Sequence, residues 1–258
     1  MTPTVPSPWK VGDFHVIGRT HTTDALCEDC DISAGARVVD VACGSGNTAL
    51  AAARFGATVS GIDVAEHLIE RARKRADAET FDIDFRVGDA QHLPYDDETF
   101  DYVLSTFGVI FAPDQRRAAD ELLRVCKPNG IIGLSVWPPE SLPGMQWALA
   151  ARYGPPPPGP HSPIEWGTMK GLRRLFGGRV RRMRVIDRSF RARARNVDEW
   201  FDMMRTYLGP AKILFDNLPH EHIAVARDEF KELAERFNRA TDGTLAVHMG
   251  YVNVVIER

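Results

Sequence analysis

The chain has 258 residues, 44% of them hydrophobic, and 32 Lys and Arg stand against 35 Asp and Glu for a formal net charge of −3. That apolar content can fill the core of one large domain or two small ones, and the near balance of charge excludes binding driven by polyanion attraction alone. No stretch approaches the ~18 uninterrupted apolar residues of a membrane span, and four cysteines in a chain of this size do not form a disulfide framework.

The first residues, MTPTVPSPWK, lack a basic region followed by an apolar one. They do not read as a secretory signal, and the protein is expected in the cytoplasm. Residues 1–8 are proline-rich and read as loose. Cys27-Glu28-Asp29-Cys30 is a C-x-x-C with His15 and His21 upstream. A metal site usually shows two paired Cys/His elements, and these histidines are loosely spaced. Leu26, Cys27 and Cys30 read instead as the apolar stripe of a helix from Thr20 to Cys30. No metal is expected.

Arg37 to Ala49, RVVDVACGSGNTA, organises the rest of the chain. Val38-Val39-Asp40-Val41 suits a buried parallel strand. Gly44-Ser45-Gly46 makes a tight turn, and from Asn47 small helix formers take over. Strand, glycine turn and helix N-terminus form a cradle for a small polar ligand at the carboxyl end of a strand. The turn formally fits the dinucleotide pattern G-x-G-x-x-G/A, which alone is weak. A carboxylate at Asp40 faces a diphosphate badly and suits an ammonium group. Ala42 between Asp40 and Gly44 gives D-x-A-x-G-x-G, and further acids end the next two strands, at Gly61-Ile62-Asp63 and Gly88-Asp89-Ala90. Thr58 to Ile62, Asp84 to Val87, Phe100 to Ser105 and Ile131 to Val136 read as the second to fifth strands. Ala65 to Ala76 and Asp114 to Lys127 read as amphipathic helices, the second stopped by Lys127-Pro128-Asn129-Gly130.

The ordered set D-x-A-x-G-x-G, GID, GDA-x-x-LPY-x-DETFD and LLRVCKPNG resembles the class I S-adenosylmethionine-dependent methyltransferases. The likeness is to the small-molecule enzymes of the ubiquinone/menaquinone-biosynthesis type, over about residues 9 to 137. Ala42 stands where that family more often has glycine. The resemblance implies S-adenosylmethionine as cofactor and a small-molecule methyl acceptor as partner. It implies that Asp40, Ala42, Gly44, Gly46 and Asn47 surround the methionine end, and that Trp9 and Phe14 in WKVGDF fold over it. Asp63 takes the ribose hydroxyls, Asp89 and Ala90 meet the adenine, and Val64 or Leu93 gives the ring an apolar wall. Ser105, Thr106 and Phe107 line the place where the methyl meets its acceptor. The expected fold is a Rossmann-like α/β sheet of seven mostly parallel strands. Its seventh strand is antiparallel, helices cover both faces, and a helical insertion lies between strands six and seven.

One domain, 1–258, is expected, with 9–136 as the cofactor-binding core. Residues 137–170, rich in proline (Pro155 to Pro158) and aromatics, and 196–243, read as helices, are expected to wall the acceptor pocket. Ten arginines fall between 173 and 195, but Phe190 to Arg195 alternates strictly. That reads as a sixth strand with Phe190, Ala192 and Ala194 inward. Gly243 to Ile256 returns as the seventh. A patch for RNA or protein on these arginines is the alternative reading. The Ser105-Thr106-Phe107-Gly108 segment lacks the Pro-Pro-aromatic sequence of base-methylating enzymes, which counts against nucleic acid. A cofactor-binding homologue that does not methylate is a further alternative. A general base is needed only for a hydroxyl or weakly acidic carbon acceptor. His15, His161 and His248 are the candidates. A homodimer is compatible with the sequence, which leaves the number of copies open.

Overall fold

Runs of β-branched residues bounded by turns become strands, and the amphipathic stretches between them become helices. The computed structural model describes residues 8–18, 23–154 and 161–258. Residues 1–7, Thr20, His21 and Pro155 to Pro158, to which the sequence analysis assigned loose chain, a helix start, a metal candidate and a stiff loop, lie outside the described residues. In chain order the elements are α1 (Pro8–Val11), α2 (Phe14–Gly18), α3 (Asp24–Asp29), β1 (Arg37–Val41), α4 (Asn47–Arg54), β2 (Thr58–Asp63), α5 (Glu66–Ala78), β3 (Asp84–Val87) and β4 (Phe100–Thr106). Then come α6 (Gln115–Val125), β5 (Cys126–Val136), α7 (Leu142–Ala150), α8 (Met169–Phe176), β6 (Arg182–Ala194), α9 (Val197–Tyr207), α10 (Gly209–Asn217), α11 (His220–Arg236) and β7 (Leu245–Glu257). Short 3-10 turns occupy Val109–Phe111 and Pro163–Gly167.

The seven strands form one sheet in the order β3-β2-β1-β4-β5-β7-β6. β1 pairs in parallel with β2 and β4, β2 with β3 and β4 with β5, and β7 runs antiparallel to β5. From β1 the chain first winds out through β2 and β3, then returns to its other side at β4. The carboxyl end of β1 is therefore the switch point where an open α/β sheet parts to admit a ligand.

The described chain gathers into two compact units. The sheet unit comprises residues 23–139, 161–188 and 250–258 of those described. Alternation along the strands sorts its two faces. Val38 and Leu104 share a core with Leu26, Cys27 and Cys30 of α3, Leu50 of α4 and Ile69 of α5. Gly133 points the same way, and a Cβ there would lie 2.4 Å from the Cys30 sulfur. Ile132 and Leu134 point to the opposite face, where α6 packs on β4 and β5. All four cysteines are buried and unbridged, so Cys27 and Cys30 are core residues. Asp29, at the end of α3, accepts from the Arg188 guanidinium and from Asn253 Nδ2 (2.7 Å), while Ser135 Oγ donates to Asn253 Oδ1 (2.6 Å).

The helical unit comprises residues 8–18, 140–154 and 189–249 of those described. Its core is an aromatic chain, Phe201 edge-on to Phe215 at 5.2 Å and Phe215 to Phe230 at 5.7 Å. Asn196 caps α9 by accepting from the Glu199 N–H (2.8 Å). Gly209 packs on the Pro8 carbonyl so closely that a Cβ would fall 1.8 Å from it.

Several boundaries differ from the sequence reading. α3 begins at Asp24. Asp114 is the cap of α6, accepting from the Arg117 N–H (2.9 Å), not its first residue. β5 starts at Cys126, before the Asn-Gly turn signal. Phe100 faces Cys126 and Tyr102 faces Ile131, so the intervening residues are a bulge in which Asn129 takes φ +64°. β6 starts at Arg182, well ahead of the alternating segment, and Phe190 is buried between exposed neighbours as that alternation requires. The described residues between 137 and 170 hold α7, capped by Ser141, and the Pro163–Gly167 turn with Trp166 fully buried. Among the described residues no helix is long and apolar enough to cross a membrane.

Candidate cofactor site

Asp40 is the last residue but one of β1, within the sheet unit. Its Oδ2 accepts from the Ala49 N–H, in the first turn of α4, at 2.9 Å. Its Oδ1 is buried without a hydrogen-bond partner among the described residues. Burial pushes the carboxyl well above the usual range; the Ala49 bond draws it back in part, and the Asp63 charge raises it further. An orphaned oxygen of this kind is costly and rare. Beyond Asp40 the backbone turns left-handed three times, at Ala42 (φ +55°), Gly44 (+54°) and Gly46 (+82°). A Cβ on Gly44 would meet nothing within 4 Å, whereas one on Gly46 would lie 2.9 Å from the Phe85 ring. The turn is thus open on the Gly44 side and filled behind Gly46. Ala42 carries its methyl in the left-handed region because Gly108 makes room: a Cβ at Gly108 would sit 2.6 Å from both the Ala42 Cβ and its carbonyl oxygen.

Asp63 ends β2 beside that turn. Its Oδ2 accepts from the Gly44 N–H (2.8 Å) and its Oδ1 from the Ala65 N–H (2.9 Å). Burial raises this carboxyl too, opposed by those two bonds. Val64 is half-buried next to it. Asp89 and Ala90 follow β3 in the loop that leads to Leu93. The Gln91 amide nitrogen donates to both Asp89 oxygens (3.1 and 2.9 Å), and its Oε1 accepts from the Asp114 N–H (2.8 Å). Glu121 accepts from the Leu93 N–H (2.7 Å), and Arg124 donates to the carbonyls of Leu93 and Tyr95 and to Glu121. One helix, α6, therefore fixes the whole loop.

At the end of β4, Ser105 Oγ donates to the Val41 carbonyl (2.6 Å) and accepts from the Val109 N–H (3.0 Å). Thr106 Oγ1 pairs with Thr48 Oγ1 (2.8 Å). Phe107, at φ +54°, stacks on Trp137 with centroids 3.8 Å apart and meets Tyr251 edge-on at 5.5 Å. The sheet thus brings Asp40, Ala42, Gly44, Gly46, Asn47, Asp63, Val64, Asp89, Ala90, Ser105, Thr106 and Phe107 into one unit, on the loops at the carboxyl ends of β1 to β4. Trp9 and Phe14 belong to the helical unit, 5.4 Å apart in a tilted pair. His15, in α2, and the exposed His248, on β7, are also there, while His161 is in the sheet unit.

Sequence reasoning missed Arg75. From α5 its Nη1 donates to the Ser45 carbonyl (2.6 Å) and to Asn47 Oδ1 (2.6 Å), bracketing the glycine turn. Nothing in the local pattern marks it, because the partners are a backbone carbonyl and an amide some thirty residues away. Gln91 and Tyr251 were missed too, since the Asp114 N–H that holds Gln91 and the Phe107 ring that meets Tyr251 come from other elements.

The comparisons with known proteins agree with this geometry. Residues 39–134 match the profile of the methyltransferase domain. The uncharacterised protein Mb1438c of Mycobacterium bovis is 34% identical over 237 residues, 89% of this chain and 86% of that one. Mb1440c of the same organism is 40% identical over 150 residues, 57% of this chain, and methyltransferase GfsG of Streptomyces halstedii is 39% identical over 133, 50% of this chain. The chain spans only about half of those two, 55% and 48% of their lengths. Among solved structures, YcgJ of Bacillus subtilis superposes with a TM-score of 0.63 at 19% identity, covering 92% of this chain and 98% of that one, a likeness of fold. A sheet that opens at Asp40 and the glycine turn, joined to these matches, places the chain in the class I S-adenosylmethionine-dependent methyltransferase family.

Proposed function

We propose that the chain transfers a methyl group from S-adenosylmethionine to a small-molecule nucleophile by in-line displacement, releasing S-adenosylhomocysteine. The observation that carries this reading is the buried Oδ1 of Asp40, without a hydrogen-bond partner among the described residues, in the strand that leads into the turn left open at Gly44. An ammonium group there supplies the missing donor, and the open glycine leaves room for what it is attached to. When bound, the sulfonium supplies a methyl on a good, neutral leaving group.

The chain's own work is positioning. Ala42, Gly44, Gly46 and Asn47 shape the turn. Asp63, pinned by two backbone N–H groups, keeps lone pairs for two hydroxyls. Asp89 and the Ala90 amide offer an acceptor and a donor to a purine edge, with Val64 as apolar wall. Ser105 locks β4 to β1, which sets Thr106 and Phe107 where the acceptor arrives. Holding reactants in line at contact distance is worth up to ~7–11 kcal/mol.

A small acceptor is favoured over RNA because the arginines of the 173–195 segment are largely spent on the protein itself. Arg179 pairs with Asp120, Arg182 with Glu257, Arg188 with Asp29 and Arg195 with Glu199. Isothermal titration tests the reading. Wild-type protein is expected to bind S-adenosylmethionine and S-adenosylhomocysteine, and Asp63→Ala to weaken both at least ~10-fold, the equivalent of ~1.4 kcal/mol. No binding at millimolar cofactor would sink it. Binding with every labelled methyl still on intact cofactor would favour the non-methylating alternative.

A further inference from the structure

Resting on the methyl-transfer reading above, we propose that His161, oriented by Glu165, is the proton acceptor for a hydroxyl-bearing acceptor, so that the chain methylates oxygen. His161 Nδ1 stands 3.5 Å from Glu165 Oε1. Glu165 Oε2 pairs with Arg174 Nη2 (3.1 Å), which also donates to Gln115 Oε1 (3.3 Å). Gln115 Nε2 closes the ring by donating to the His161 carbonyl (3.0 Å) and also reaches the Ile110 carbonyl (3.4 Å). Arg116, itself paired with Asp120, donates to the Arg174 carbonyl, so the charged groups joined in this network are Arg116 and Asp120 of α6, Arg174 of α8 and Glu165 of the Pro163–Gly167 turn.

The ring places the histidine. Gln115 follows the Val109–Phe111 turn, which leaves the end of β4. The Pro163–Gly167 turn, directly after His161, lies on the end of β5: a Cβ on Gly167 would fall 2.2 Å from the Trp137 carbonyl oxygen. Trp137 stacks on Phe107, the residue directly after β4. The histidine is thereby tied to the carboxyl ends of β4 and β5, where a sheet of this kind keeps its reacting atoms. Its side chain is 38% exposed. The Nδ1–Glu165 contact is long for a hydrogen bond, as such contacts commonly are before substrate binds. A carboxylate on Nδ1 selects the Nδ1–H tautomer and leaves the Nε2 lone pair to accept.

The step balances. The hydroxyl oxygen forms its bond to the transferred carbon as the carbon–sulfur bond breaks and sulfur keeps the pair. The hydroxyl proton passes to Nε2 and later to water. A thiolate or a neutral amine needs no such base to begin; a hydroxyl does.

The test uses the full chain, S-adenosylmethionine and a series of substituted phenols running from phenol to 4-nitrophenol, which is largely ionised near neutral pH. His161→Ala is expected to lose roughly 10²-fold or more in kcat on phenol and much less on 4-nitrophenol. Affinity for S-adenosylhomocysteine should stay unchanged. Glu165→Gln should fall between, with the same dependence on phenol acidity and the same cofactor KM. Apart from turnover, imidazole ¹⁵N shifts should show the Nδ1–H tautomer in wild type and a tautomer mixture in Glu165→Gln. Equal losses on every phenol, an unchanged tautomer in Glu165→Gln, or a wild type that binds cofactor yet methylates no phenol each overturn the proposal while leaving the methyl-transfer reading intact. Failure of the wild type to bind cofactor overturns both.

Discussion

Asp40 is buried at a cost that its surroundings only partly offset. Its carboxyl is raised in the folded chain by burial, against the Ala49 bond, with Asp63 adding to the rise. A raised folded value means that the folded state holds the proton more tightly than the unfolded state. Stability on this account is full below the ordinary carboxylate range and is lost as pH rises through the folded value. Asp40→Asn removes that titration. The apo variant is expected to match or exceed wild-type Tm at neutral pH, to lose that advantage on acidification, and to bind S-adenosylmethionine at least ~10-fold more weakly; thermal melts across pH and calorimetry check both. A variant that loses stability at neutral pH and keeps its affinity would make Asp40 a structural residue. Ala42 and Gly108 form a second residue-scale pair. Gly108→Ala drives a methyl to 2.6 Å from Ala42 and should cost ~1–3 kcal/mol, a fall in Tm of roughly 2–4 °C per kcal/mol. Ala42→Gly relieves a left-handed alanine worth ~1–2 kcal/mol and should recover part of the loss in the double variant.

At the scale of elements, α6 does more than cover the sheet. Through Gln91, Glu121 and Arg124 it holds the loop from Asp89 to Asp97. Glu121 is buried; burial raises its carboxyl, but the Arg124 pair and the Leu93 N–H outweigh that and leave it lowered. Its contribution is therefore present above the ordinary glutamate range and lost as pH falls through the lowered value. Arg124→Met leaves Glu121 without its cation and should cost ~3–5 kcal/mol. Hydrogen exchange in residues 93–97 should quicken more than in β1. Strand and helix existence from β1 to β5 was legible because each run had one period and a clear stop, whereas α1, which begins at Pro8 in the stretch read as loose, and α2 are too short to show a period. The legibility ended where local pattern and tertiary contact parted company. The Asn-Gly signal at 129–130 marked a bulge inside β5, since pairing with β4 and β7 overrides the turn. α7 hid among prolines and aromatics whose burial decides its packing. The acids of the site could be located from spacing, but the backbone N–H groups that hold them, Ala49 on Asp40 and Gly44 on Asp63, could not, because each arrives from a different element.

For the molecule as a whole, the two compact units divide the candidate residues: the acids, the glycine turn and His161 fall in the sheet unit, and Trp9, Phe14, His15 and His248 in the helical one. The sequence set 137–170 and 196–243 apart from the 9–136 core, and the helical unit takes in much of both; the crossing points themselves were not legible because the chain passes between units several times without a linker-like stretch at each crossing. The thiols give a global probe. Burial pushes Cys30 and Cys126 up to about 12, and Cys27 and Cys43 are raised as well. Since the thiolate is the reactive form, native protein should titrate none of its four thiols with an aromatic disulfide reagent over minutes. All four should appear together as denaturant unfolds the sheet unit; a fast pair would mean that α3 opens by itself.

The Phe85 ring lies behind two glycines at once, since a Cβ on Gly46 would come within 2.9 Å of it and one on Gly61 within 2.6 Å. Those two positions answer to a side chain of β3, whereas Gly44, with empty space above it, answers only to its backbone angle and to whatever docks there. Trimming Phe85 to leucine should therefore let alanine be tolerated at 61, where the backbone is not left-handed, and leave 44 as demanding as before.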